Sequence, residues 1–326
     1  MTIVGRLALA ASIGVLLLAA AAPSAAQQAY PAKPIKIVVP FPAGGIADLY
    51  ARLIGGRLTE AWGQPIVIEN RTGAGGNIGA DAVAKSAPDG YTLVMGSFGT
   101  HAVNVSLFAS MPYDPVRDFA PIVLVLEAEG LLVVHPSVPA QSVLDLIAYA
   151  RAHPGRVTFA SAGMGTASHL AGELFKTMAR VEMTHVPYKG NVPAITDLLA
   201  GQTSLLFATM PTVLPHAKAG KLRALATIGS VRSAAAPELP TVAETLPGFD
   251  VNNWVGLLAP AGTPAEVARK WNLEVNKIMQ GADIKQRLLT EGARYAPNTP
   301  EEFGAFIKSE IAKWAPVVKA SGARVD

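Results

Sequence analysis

The chain contains no cysteine. That excludes disulfides, thiolate metal sites, a cysteine nucleophile and lipid attachment at a processed N-terminus, and it leaves core packing alone to hold the fold. Charge is also scarce, at 16% of residues. The net charge of +3 carries no Lys/Arg cluster with it, so the calculated pI of about 9.0 is no argument for nucleic acid. Low-complexity tracts and long linkers are missing, and half the residues are hydrophobic, which describes a compact body rather than a disordered one. No G-x-S-x-G elbow exists to carry a hydrolase serine. The glycines at Gly73, Gly75 and Gly79 do not have the G-x-G-x-x-G spacing of a dinucleotide fingerprint, nor does an acid end a second strand where a ribose would need it.

The one long apolar run, Leu7 to Ala22, follows a single cation, Arg6, and precedes Pro23-Ser24-Ala25-Ala26-Gln27. Cation, apolar segment and small-residue site make a secretory signal peptide over residues 1–26, cleaved after Ala26. The alternative, an uncleaved anchor, needs ~20 apolar residues, more than this run supplies. Export to the periplasm follows, with a net charge of +2 once Arg6 is removed, and no second long apolar segment follows in the mature chain. The roughly 300 residues that remain suggest two domains at ~150 residues each, large enough to bury their cores without staples.

Short β-type runs alternate with helical segments. Ile35–Val39 is a β-branched strand stopped by Pro40, and a helix follows whose Leu49, Leu53, Ile54 and Leu58 fit one face. Strands are expected at 66–69, 91–95, 131–135, 157–161, 183–186, 204–208 and 222–228. Helices are expected at 78–86, 143–152 and 167–178, with others ending at Gly201 and Gly220. Two capping boxes, Thr263-Pro264-Ala265-Glu266 and Thr299-Pro300-Glu301-Glu302, predict two amphipathic C-terminal helices. Such alternation implies parallel-rich α/β sheets.

In open α/β sheets ligands sit where strands end and helices begin. Two such junctions have suitable chemistry: Pro40-Phe41-Pro42-Ala43-Gly44-Gly45 with Asp48, and Ser161-Ala162-Gly163-Met164-Gly165-Thr166 with His169. Glycines admit a ligand close to the backbone, and the free N–H groups of a helix start attract an anion. The plain alternative is ordinary tight turns with caps. Ser161, His169 and Glu173 occur in the order of a hydrolytic triad, but order without geometry is no triad. His169 and Glu173 share a helix face, yet no third metal ligand is identified among only six histidines. His101, His135, His153 and His216 are assigned structural or solvated roles. No cofactor is expected and no enzymatic activity.

Several motifs stand in order from about Tyr30 to the end. They are Pro40-Phe41-Pro42-Ala43-Gly44-Gly45 with Asp48 and Arg52, Glu69-Asn70-Arg71 with Gly73-Ala74-Gly75-Gly76, Pro88-Asp89-Gly90-Tyr91, Ser161-Ala162-Gly163 with Gly165-Thr166 and His169, His185-Val186-Pro187-Tyr188-Lys189-Gly190, and Trp254 with Gly256-Leu257. Together they resemble the Bug family, the extracytoplasmic binding proteins of tripartite tricarboxylate transporters. The resemblance implies a two-lobed α/β fold of the type II periplasmic-binding-protein, Venus-flytrap kind. Its lobes would be 27–128 with 252–326, and 129–251, hinged by extended crossings near 127–130 and 250–254. It implies capture of a small carboxylate, a dicarboxylate or an aromatic carboxylate, by a monomer that delivers it to the membrane components of such a transporter or, alternatively, presents it to a membrane sensor kinase. The wall residues carried over by motif are Phe41, Ala43, Gly44, Gly45 and Asp48, facing Ser161, Gly165, Thr166, His169, Tyr188 and Lys189, with Ser97 and Thr100 as neighbours. Where relatives often place an acid after the strand phenylalanine, this chain has Phe207-Ala208. That weighs against an amino-acid ligand and leaves room for an apolar body.

Overall fold

The computed structural model describes residues 30–325; the signal peptide expected over residues 1–26, with cleavage after Ala26, lies outside the described residues. In chain order the elements are β1 (Ile35–Val39), α1 (Ile46–Trp62), β2 (Ile66–Asn70), α2 (Asn77–Ala84), β3 (Thr92–Ser97), α3 (Asn104–Leu107), β4 (Phe119–Ala128), β5 (Gly130–Val134), α4 (Val143–Ala152), β6 (Thr158–Ser161), α5 (Ala167–Ala179), β7 (Thr184–Pro187), α6 (Asn191–Leu199), β8 (Leu205–Thr209), α7 (Met210–Lys218), β9 (Arg223–Thr227), β10 (Asn253–Pro260), α8 (Ala265–Met279), α9 (Ala282–Thr290), β11 (Ala293–Arg294) and α10 (Pro300–Ser321).

They form two α/β sheets, ordered β11-β4-β10-β3-β1-β2 and β7-β6-β8-β5-β9. The sheets are mixed rather than parallel-rich. β1 runs parallel to β2 and β3, and β6 to β7 and β8, but β10 lies antiparallel between β3 and β4, and β5 lies antiparallel between β8 and β9. The reversal has a simple cause. β5 and β10 are the strands on which the chain arrives from the other sheet, so each starts at the edge where the parallel strands finish.

Local corrections follow from packing. Leu49 does not join the buried face of α1, which runs through Ala47, Tyr50, Ala51, Ile54, Gly55 and Leu58, because small residues let the helix settle on β2, with the Gly55 position against Ile66 and Ile68. The Thr299 capping box is formed, with Glu302 N–H donating to the Thr299 hydroxyl and the Thr299 N–H to the Glu302 carboxylate. The Thr263 box is not. Thr263 Oγ1 donates to the Pro260 carbonyl at 2.8 Å, and the helix starts one residue later, after Pro264.

The strand directions bring the functional edges together. The ends of β1, β2, β3 and β4 and the start of β10 share one edge of the first sheet, as the pairs Val255–Ser97 and Asn253–Ala128 require. The ends of β6, β7, β8 and β9 and the start of β5 share one edge of the second, where Gly130 pairs with Thr209. Only Glu129 separates β4 from β5, so these two edges adjoin. An apolar cluster joins the sheets, running from Phe98, Leu107 and Trp314 to Leu170, Phe175 and Phe207. Among the described residues no helix is long and apolar enough to cross a membrane.

Candidate functional site

A cavity of about 230 Å³ lies where the two sheet edges adjoin. Its walls come from the crossings (Ala128 to Gly130, Val251, Asn253), the end of β8 (Phe207 to Thr209), Ile228, the turn after β6 with the start of α5 (Ala162, Thr166 to Ser168), and Asn191 at the start of α6. Two helices therefore open onto it with their first-turn N–H groups, which lack intrahelical acceptors. No lysine or arginine lines it.

The turn after β6 is tightly tied. Thr166 caps α5: its hydroxyl donates to the Gly163 carbonyl at 2.7 Å and accepts the His169 N–H. Ser168 Oγ accepts the Ala162 N–H at 3.0 Å. Gly165 adopts a φ of +73° with its Cα under the Leu107 side chain, where a Cβ would come within 2.5 Å of the leucine methyl. Its N–H donates to His169 Nδ1 at 3.0 Å. Ser161 is fully buried, and its hydroxyl meets His185 Nε2 at 2.6 Å. The triad order Ser161, His169, Glu173 is thus not realised: the serine partner is His185, and the Glu173 carboxylate takes Lys176 at 2.9 Å. Burial and neighbouring positive charge hold both histidines down to about 4. Among the described residues no group of three His, Asp or Glu side chains is placed for a metal ion.

The other expected wall residues divide by position. Thr166, Phe207 and Ala208 line the cavity; Ser161, Gly165 and His169 form the turn beside it. Tyr188 and Lys189 lie in the next turn, bound to the first through Tyr188 N–H to Ser161 O and Gly190 N–H to Ala162 O, both 3.0 Å. The Tyr188 hydroxyl donates to Asp197 at 2.7 Å, while Lys189 is exposed. Ala43, Gly44 and Gly45 are exposed on the edge of the first sheet, Phe41 is half-buried, and none of the four is in the cavity wall. Asp48 is buried beneath them, accepting from Gly44 N–H, Arg52 and Asn70. Ser97 and Thr100 are buried and bond each other, and Thr100 also meets His101 Nδ1 at 2.8 Å. Sequence reasoning passed over Asn191, which obeys the same strand–turn–helix rule, and His185, which stands inside a quoted motif.

The model of the tripartite tricarboxylate transporter family receptor matches residues 50–323 of the chain. Protein BugT of Bordetella pertussis is 40% identical over 97% of this chain and 98% of its own. Among solved structures, R. palustris Rpa4515 with adipate is 39% identical, covering 91% of this chain and all of that one at a TM-score of 0.76. MatC from Rhodopseudomonas palustris with bound malate is 36% identical, covering 89% of this chain and all of that one at a TM-score of 0.71.

Proposed function

The chain belongs to the tripartite tricarboxylate transporter receptor family, a family of solute-binding receptors rather than enzymes, and on that premise we propose that it captures a small dicarboxylate or aromatic carboxylate in the periplasm and hands it, as a monomer, to a tripartite membrane transporter. Its lobes in this reading are 27–128 with 252–326, and 129–251. The observation that carries the reading is the cavity at the starts of α5 and α6. Aligned peptide dipoles and unpaired N–H groups there suit an anion that needs no arginine clamp. At about 230 Å³ the space is below the ~300–1,000 Å³ of pockets for drug-sized ligands, which suits a small acid. Adipate and malate in two relatives support the same class. Ser161, Gly165, Thr166, Phe207 and Ala208 are proposed on one side of the ligand, with the turn at Phe41, Ala43, Gly44 and Gly45 closing from the other.

A thermal-shift and calorimetry panel of adipate, malate, succinate and benzoate, each with its methyl ester, tests this. An acid at ~100 times its dissociation constant adds ~2.7 kcal/mol and raises the melting temperature by several degrees. Esters that bind as well as their acids, or a sugar that outcompetes every acid, would sink the carboxylate reading.

A further inference from the structure

The turn that presents α5 to the cavity is held at both ends by imidazole nitrogens. Gly165, next to its end, donates its N–H to His169 Nδ1 at 3.0 Å. A backbone amide can only donate, so Nδ1 is bare and a neutral ring carries its proton on Nε2. Ser161, at the turn's start, meets Nε2 of His185 at 2.6 Å. His185 comes from β7, where the register pairs it with Phe159. The two imidazoles stack at 4.0 Å with 20° between their planes, and His185 stacks in turn on Phe159 at 4.8 Å. The Ser161 hydroxyl also accepts the Gly163 N–H at 3.1 Å, which extends the tie to the middle of the turn.

We propose that His169 and His185 are positioning residues for ligand capture, acting as one stacked pair whose Nδ1 and Nε2 respectively fix Gly165 and Ser161 and so aim the first N–H groups of α5 into the cavity. The pair must be uncharged to do this. A proton on Nδ1 of His169 would remove the acceptor for Gly165, and two imidazoliums in face contact would repel each other and the nearby Lys176; the Glu173 carboxylate, 3.9 Å from His169 Nε2, is already engaged by that ammonium at 2.9 Å. Burial keeps both rings neutral at pH 7, their protonation held down to about 4. The assignment rests on the reading of the cavity as an anion site.

The two rings use opposite nitrogens, and this sets a crossed test. An asparagine side chain puts its amide oxygen close to the place of Nδ1, and a glutamine puts its amide close to the place of Nε2. His169→Asn and His185→Gln are therefore expected to keep affinity for the tightest acid of the panel to within about threefold, whereas His169→Gln and His185→Asn lose about tenfold or more, the worth of one hydrogen bond. Melting temperatures of the four variants are not expected to follow that crossed order. Equal losses in all four, or losses that track melting temperature, would overturn the proposal. A second measurement needs no ligand: hydrogen exchange of the Gly165 amide should stay slow in His169→Asn and quicken in His169→Gln. If no acid binds the wild-type chain, the carboxylate reading fails while the exchange result still decides the positioning role. Equal Gly165 exchange in the two variants would reject that role even if acids bind.

Discussion

Asp48 shows how a buried carboxylate can be fully engaged by the turn it supports. Its Oδ2 accepts the Gly44 N–H at 2.9 Å and Arg52 Nε at 3.0 Å, while Oδ1 accepts Asn70 Nδ2 at 2.9 Å. Arg52, above all, with the Gly44 and Asn70 bonds, holds this carboxyl down to about 2 against burial, which acts the other way. The family resemblance implied a place for Asp48 in the ligand wall. Its hydrogen bonds to Gly44 and Asn70 brace the glycine turn that precedes α1. Asp48→Ala should lower stability by ~1–3 kcal/mol, since Gly44 and Asn70 lose a buried acceptor. Because the folded value lies below the ordinary aspartate value of 3.8, the gap between wild type and variant is fully present above pH ~4 and closes as pH falls toward ~2. Urea titrations at pH 7 and pH 3 measure both, and a gap that stays constant with pH would contradict the assigned charge. His185 shows the limit at this scale. The residues of its motif were visible, but a serine finding its partner on a neighbouring strand 24 positions away follows from register and not from spacing.

Elements were legible where strand and helix alternate. The expected spans for β1 and α4 coincide with the observed ones, those for β2, β6 and α5 differ by one residue at one end, and that for β8 is shifted by one residue, because β-branched runs and 3.6-residue stripes are local signals. β4 and β10 were not read as strands. Both are central and buried on both faces, so period-two alternation is lost, and neither sits in a simple strand–helix step: β4 leads directly into β5 across the crossing, and β10 arrives from the other sheet. Their cores are tightly fitted. A Cβ at Gly256 of β10 would lie 2.2 Å from the ring of Phe303 on α10, a ring fixed edge-on to Trp254 at 5.7 Å. Gly256→Ala should therefore cost ~1–3 kcal/mol by overpacking, and Phe303→Leu in that background should restore part of the loss, since the two sites touch. Denaturant midpoints for the two single variants and the double variant decide it; an unchanged midpoint for Gly256→Ala would show that the ring yields freely.

At the scale of the molecule, a few directional contacts add to the apolar cluster that joins the two sheets. Glu129 donates its N–H to Gly292 O at 2.8 Å and accepts the Met210 N–H at 2.9 Å. Lys313 of α10 reaches the Asp250 carbonyl at 3.3 Å, and Leu107 covers Gly165. Gly165→Ala would put a methyl into that leucine at a φ of +73°, which a side chain adopts at a cost. The substitution should spread the sheets and enlarge the radius of gyration in small-angle scattering. Leu107→Ala in the same background should bring it back, and a radius unmoved by Gly165→Ala would show that this contact does not set the separation. The α/β class and the glycine turns at helix starts were decided by local pattern alone, because periodicity and turn chemistry act over a few residues. That the sheets are mixed, that Asp48 is engaged by Arg52 and Asn70, that Ser97 and Thr100 lie buried, and that Asn191 and the crossings complete the cavity were decided only in three dimensions, because strand direction and register determine which distant residues share an edge.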